Sequence, residues 1–105
     1  MHRGEVWWAD LPVPAGRRPV LLLSREAAYK VRLSITAAAI TRTIRSIPVE
    51  VLLDEEDGLP EKCAVNLDEI ITIPKSLLVE RITVLSRGKM DAVVRSIAFA
   101  LDLRL

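Results

Sequence analysis

The 105-residue sequence predicts an α+β fold that is mainly β: a small curled sheet or barrel with one helix packed against it. Two patterns predict it. Short apolar runs, broken by proline, glycine and acidic turns, recur from the start of the chain to Leu85. Beyond that point Met90, Val93, Val94, Ile97, Ala98 and Leu101 recur at three- and four-residue spacing, which is one face of an amphipathic helix. Several strands and a single long helix bury their apolar faces most simply by packing helix on sheet. No repeat, low-complexity tract or linker divides the chain, so a single domain over residues 1–105 is expected.

Gly4–Leu11 reads as a strand, with Val6 and Trp8 on one face and Glu5, Trp7 and Ala9 on the other. Pro12, Pro14 and Gly16 end it in a loop that no ladder accommodates. Pro19–Ser24 is a continuous apolar run, the mark of a buried strand, and Glu26–Val31 follows as one short helical turn. Ser34–Arg42 is the next strand. Its centre, Ala37-Ala38-Ala39, is poor in strand formers and points to something packed close against it. Pro48–Leu53 is a strand ending in the acidic turn Asp54–Gly58. Cys63–Leu67 and Ile70–Ile73 read as two short strands, and Pro74–Leu78 as a brief helix with proline at its start. Glu80–Leu85 alternates as a last strand, and Ser86 suits the N-cap of the final helix.

Half of the residues are apolar, much for so small a body, so part of the apolar surface is expected to be covered by a second subunit. Cys63 stands alone, which excludes an intrachain disulfide and a thiol zinc site, and His2 is the only histidine. The opening residues lack a basic segment followed by an apolar run, and the longest uncharged stretches are far too short to span a bilayer. A cytoplasmic protein with no membrane contact is expected. The net charge of +1 conceals an asymmetry. Residues 1–53 hold eight Lys/Arg against four Asp/Glu, whereas residues 54–105 hold seven against ten. Seven basic residues and one acid lie between Arg17 and Arg45, a footprint suited to a polyanion.

Elimination narrows the chemistry. No histidine is placed to activate Cys63 or a serine, and the four glycines are too scattered to cradle a phosphate. The Asp54–Asp57 cluster is more simply a charged turn than a metal site, so neither metal nor cofactor is expected. Arginines, hydroxyls and carboxylates remain, and they suffice for scission of RNA by its own 2′-hydroxyl. The substrate carries the nucleophile. The protein need only hold the chain in line, stabilise charge on the phosphorane and manage two protons. An arginine fork suits the charge role because its donors match phosphate oxygens.

The opening Arg3-Gly4-Glu5-Val6-Trp7-Trp8-Ala9-Asp10-Leu11, with Gly16-Arg17-Arg18-Pro19-Val20-Leu21, resembles the start of the MazF/PemK toxins. Ala38-Ala39-Ile40-Thr41 resembles that family's middle strand, and Arg81–Ser86 its late strand, so the similarity runs the whole length. The resemblance implies a small SH3-like barrel of the CcdB/MazF/Kid type with short helices and a C-terminal amphipathic helix, working as a homodimer. It implies a toxin of a type II toxin-antitoxin system that cuts single-stranded RNA without metal, leaving 2′,3′-cyclic phosphate and 5′-hydroxyl ends. A MazE-like antitoxin would block the groove, and DNA would be met only through the antitoxin complex. By position, Arg18 before the proline is the catalytic arginine and Thr41 the catalytic threonine, with Arg17 and Thr43 as near substitutes. Arg17, Arg25, Lys30, Arg42, Thr43 and Arg45 are candidate RNA contacts. Trp7 is the candidate base-stacking platform, with Trp8 assigned to the core. The loop between Leu11 and Arg17 is shorter than in many relatives, and Ser24-Arg25 replaces an Asn-Asp-like pair; both bear on base preference. The rival readings are a CcdB-like gyrase poison and a barrel that binds nucleic acid without cutting it.

Overall fold

The structure is a computed structural model that describes residues 1–104. Six strands, β1 (Glu5–Asp10), β2 (Arg17–Leu22), β3 (Ser34–Thr41), β4 (Glu50–Leu53), β5 (Cys63–Pro74) and β6 (Leu78–Val84), alternate with a one-turn helix α1 (Ala28–Val31) and end in α2 (Arg87–Ala100). They form one antiparallel sheet in the order β4-β5-β3-β2-β1-β6. β4 and β6 are its two edges, so the predicted barrel is an open half-barrel. Among the described residues no helix is long and apolar enough to cross a membrane.

The unbroken apolar run of β2 has its reason in this order. β2 sits between β1 and β3 and is covered on both faces: Val20, Leu21 and Leu22 have no exposed surface. Leu21 joins Val6, Ala38, Ile40, Val65 and Val93 in the core beneath α2. Val20 and Leu22 face the other way, into a second cluster with Ala9, Ala37, Ile35 and Tyr29 of α1. The alanines of β3 lie between Leu21 and Leu22 on one side and Ile70 and Ile71 on the other, where larger side chains would crowd these neighbours.

Two expectations need correction. The segments read as separate strands, Cys63–Leu67 and Ile70–Ile73, are one strand with a bulge: Ala39 pairs with Asn66, but Ala38 pairs with Ile70. Leu67, Asp68 and Glu69 between them have no β3 partner; Leu67 turns into the core, and Asn66 stabilises the detour by accepting the Asp68 amide at 3.0 Å through its side chain. The apolar stripe of α2 is also rotated. Val93 is buried and Met90, Ala92, Ile97 and Ala100 pack beside it, but Leu101 is exposed and Ser96 is buried instead. Ser86 caps the helix as expected, accepting the Lys89 amide at 3.2 Å.

The acidic turn consumes its own charges. Asp54 accepts the Glu56 amide at 2.9 Å, and Asp57 accepts the Asp54 amide at 3.0 Å while pairing with Lys89 at 3.7 Å. Gly58 then turns with a φ of +94°, and a β-carbon there would strike the Thr83 side chain, so glycine is required on two counts.

Two carboxylates tie down the N-terminus. Glu5 accepts the His2 amide at 3.1 Å and the Trp7 indole at 2.9 Å, with Arg81 at 3.5 Å. Glu26 accepts the His2 ring at 2.8 Å and the Arg3 amide at 2.8 Å. Burial alone would push Glu5 up, yet the Trp7 and His2 hydrogen bonds and the nearby positive charges hold it below its ordinary 4.5. The His2 hydrogen bond, then that from Arg3, lowers Glu26 likewise. A carboxyl depressed in the folded state contributes stability above its unfolded value and loses it as pH falls through the folded one. The thermal midpoint is therefore expected to hold near neutrality and to fall as pH drops below 4.5. The Glu5→Gln, Glu26→Gln double variant should fall less steeply over that range, and an equal slope would refute the assignment.

Candidate active site

The β2–β3 register places the two residues on which the catalytic reading turns. Val20 pairs with Ala39 and Leu21 with Ala38; carried two places past the last pair, the same register sets Arg18 opposite Thr41. On the other side of β2, Ala9 pairs with Arg18 and Asp10 with Arg17. At this end of the sheet the strands open into a cleft of about 420 Å3. Trp8, Arg17, Arg18, Thr41, Arg42 and Glu61 line it together with Ala15, Pro19, Ile40, Leu59, Pro60 and Cys63. A groove of about 470 Å3 between β4 and α2, lined by Lys89, Arg95 and Phe99, holds none of the residues singled out from the sequence.

The guanidiniums differ in how far they are committed. Arg17 is locked to Asp10, with Nε 2.9 Å from Oδ1 and a terminal nitrogen 3.3 Å from Oδ2. Arg18 donates Nε to the Ala15 carbonyl at 2.9 Å and, among the described residues, forms no ion pair. The Leu11–Arg17 loop thus orients the side chain and leaves its two terminal nitrogens outside that bond. The loop is closed by Leu11 donating to the Gly16 carbonyl at 3.0 Å, with Gly16 at a φ of +67°. Thr41 accepts the Thr43 amide at 3.1 Å, which uses an oxygen lone pair and leaves its O–H free to donate. Arg42 lies 3.6 Å from Glu61, both side chains well exposed. Burial, then the charges of Glu61, Asp57 and Asp54, pushes the Cys63 thiol up to about 11. It stays protonated at neutral pH and is no nucleophile there.

The other candidates fall outside the cleft lining. Thr43 and Arg45 follow Thr41 into the β3–β4 connection, where Glu50 accepts the amides of Arg45 and Ser46 at 2.9 and 3.0 Å. Arg25 and Lys30 follow β2 beyond Leu22, at the end of that strand away from Arg18. The tryptophans exchange places. Trp7 is half-buried against Leu78 and the second cluster, its indole spent on Glu5, while Trp8 lines the cleft.

The model of one family, the PemK-like, MazF-like toxins of type II toxin-antitoxin systems, matches residues 2–101. The chain belongs to that family. Among MazF proteins, "Probable endoribonuclease MazF5" of Mycobacterium tuberculosis is 39% identical over 101 residues, 95% of this chain and 92% of the relative. "Probable endoribonuclease MazF2" of the same species is 38% identical over 91 residues, 86% and 87% of the two chains. The structure of the M. tuberculosis toxin MazF-mt6 matches with a TM-score of 0.89 at 33% identity, covering 96% of this chain and 99% of that one. A mycobacterial endoribonuclease in complex with its cognate antitoxin matches with a TM-score of 0.89 at 28% identity, over 100% and 98%. In this MazF-like chain sequence reasoning assigned Trp8 to the core and passed over Glu61. Alternation separates the two tryptophans but does not bring Trp8 to the cleft, a place that follows from its pairing with Pro19 beside Arg18; Glu61 carried no signal.

Proposed function

We propose that this toxin is an endoribonuclease that cuts single-stranded RNA without a metal ion, as one domain over residues 1–105 that acts in the cytoplasm as a homodimer and is held inactive by a MazE-like antitoxin. The observation that carries this reading is the shared cleft of Arg18 and Thr41 in a chain of this family. The names borne by its relatives, endoribonuclease and antitoxin complex, support the same reading. The 2′-oxygen attacks the adjacent phosphorus, the bond to the 5′-oxygen breaks, and the 2′-proton is lost as the leaving oxygen gains one. Arg18 stabilises the charge of the phosphorane with its uncommitted terminal nitrogens. The Thr41 hydroxyl holds a phosphate oxygen or relays a proton. Arg17 is the weaker catalytic choice because Asp10 already neutralises it. It and the residues after Thr41 (Arg42, Thr43 and Arg45) hold the RNA backbone at this end of the sheet, and DNA is met only through the antitoxin complex.

The test is incubation of purified toxin with a long single-stranded RNA in excess EDTA. Fragments ending in 2′,3′-cyclic phosphate and 5′-hydroxyl are expected. RNA left intact under chelation, or fragments with 5′-phosphates, would overturn the metal-free transesterification.

A further inference from the structure

Glu61 is out of place in a cleft for a polyanion. It is the one carboxylate in a lining that holds three guanidiniums, and a carboxylate repels the phosphates those guanidiniums attract. Among the described residues its charged partner is Arg42, at 3.6 Å and with both side chains exposed, an arrangement worth little to stability. A negative group in this position is useful for what a carboxylate does well, which is to accept hydrogen bonds. In single-stranded RNA the donors are the 2′-hydroxyls and the base edges, and only a base edge sets two donors side by side against the two oxygens of one carboxylate.

We infer that Arg42 and Glu61 together form a guanine-binding subsite beside the scissile phosphate. This inference rests on the endoribonuclease reading and gives Arg42 a part beyond backbone contact. A guanidinium N–H beside two carboxylate oxygens presents a donor and two acceptors, the same set that the Watson–Crick edge of cytosine presents. Guanine answers it with the O6 acceptor and the N1–H and N2–H donors. The other bases do not. Adenine and cytosine would each turn ring acceptors toward the carboxylate, and uracil offers a single donor flanked by two carbonyls. Trp8, Pro19 and Pro60 supply apolar surface in the same cleft against which the base plane can lie. The pair also explains why neither partner is tied more tightly: a closed bidentate bridge would leave no edge to read.

The experiment maps the 5′ ends produced by the wild-type toxin on long RNA, then compares one preferred RNA with its inosine counterpart, which lacks only the N2 amine. The wild-type cut sites should share a guanine at one fixed offset from the broken bond. Inosine there should lower kcat/KM about tenfold, the scale of one lost base-edge contact. In Glu61→Gln the guanine-to-inosine ratio should fall near one, because the second acceptor is gone, whereas Arg18→Ala should slow both RNAs and keep their ratio. Because each ratio is taken within one protein, differences in folding or total activity cancel. Cutting with no guanine at a fixed offset, or an inosine penalty that is absent in wild type or persists in Glu61→Gln, overturns the subsite and leaves the nuclease standing. Wild type that cuts no RNA at all overturns both.

Discussion

Replacing Arg18 with alanine is expected to lower the rate of RNA cleavage roughly 10²–10³-fold, the cost of removing one preorganised donor from a developing oxyanion. The loss should fall on kcat with little change in KM, because the terminal nitrogens act on charge that exists only at the phosphorane. Folding should survive, since the side chain is exposed and its one bond is to the Ala15 carbonyl in a surface loop. Arg18→Lys keeps the charge but loses the planar fork, so it should recover only part of the rate. Arg17→Ala supplies the comparison. Its guanidinium is already shared with Asp10, so its removal frees a carboxylate at the cleft mouth and should weaken binding more than turnover. A loss below about threefold in a folded Arg18→Ala protein, where one oxyanion donor is worth at least a hundredfold, would remove this residue from the chemistry. The same holds if the larger kcat effect appears at Arg17.

The residues that sequence reasoning placed well are those whose environment is set by neighbours along the chain. β2 was legible because a strand covered on both faces must be apolar throughout, and α2 because a helix on a sheet repeats its apolar face every three or four residues. The Arg18 candidate came from the motif before Pro19, and the cleft that opens beyond the last β2–β3 pair holds Thr41 in the same lining. What local pattern did not carry depended on the sheet's curvature and on distant pairing. Alternation puts Trp7 and Trp8 on opposite faces, but in a half-barrel whose two faces both carry a cluster it does not say which face opens at the end. The Asp68-Glu69 pair reads as a strand break, although the β3 ladder runs on past it. Arg25 and Lys30 belong to the basic stretch in sequence, yet the extended run of β2 carries them to the far end of the sheet. Glu61 reaches the cleft only because Thr41 pairs with Ala64, which brings the segment before Cys63 beside Arg42. No local pattern encodes that meeting.

Leu21→Ala is the second large effect, and it separates folding from chemistry. Leu21 is wholly buried at the centre of the sheet, paired with Val6 on one strand and Ala38 on the other, under Val93 of α2. Its neighbours cannot collapse into the gap, because the backbones of β1 and β3 are held by ladders on both sides. The substitution should therefore cost about 3–4 kcal/mol, toward the upper part of the range for buried leucine. A domain of this size has roughly 5–15 kcal/mol in total, so the thermal midpoint should drop by about 10–20 °C. Leu52→Ala on the edge strand β4, where the side chain is 47% exposed, should cost well under about 1 kcal/mol. Leu21 lies three residues along β2 from Arg18 and lines no part of the cleft. In the cold, where the variant is still folded, RNA cleavage per folded molecule should match wild type, and the deficit should appear only as the temperature nears the lowered midpoint. A variant that stays fully folded when cold but has lost activity would mean that core packing under α2 sets the position of Arg18, and that the cleft is less independent of the core than the β2–β3 register implies.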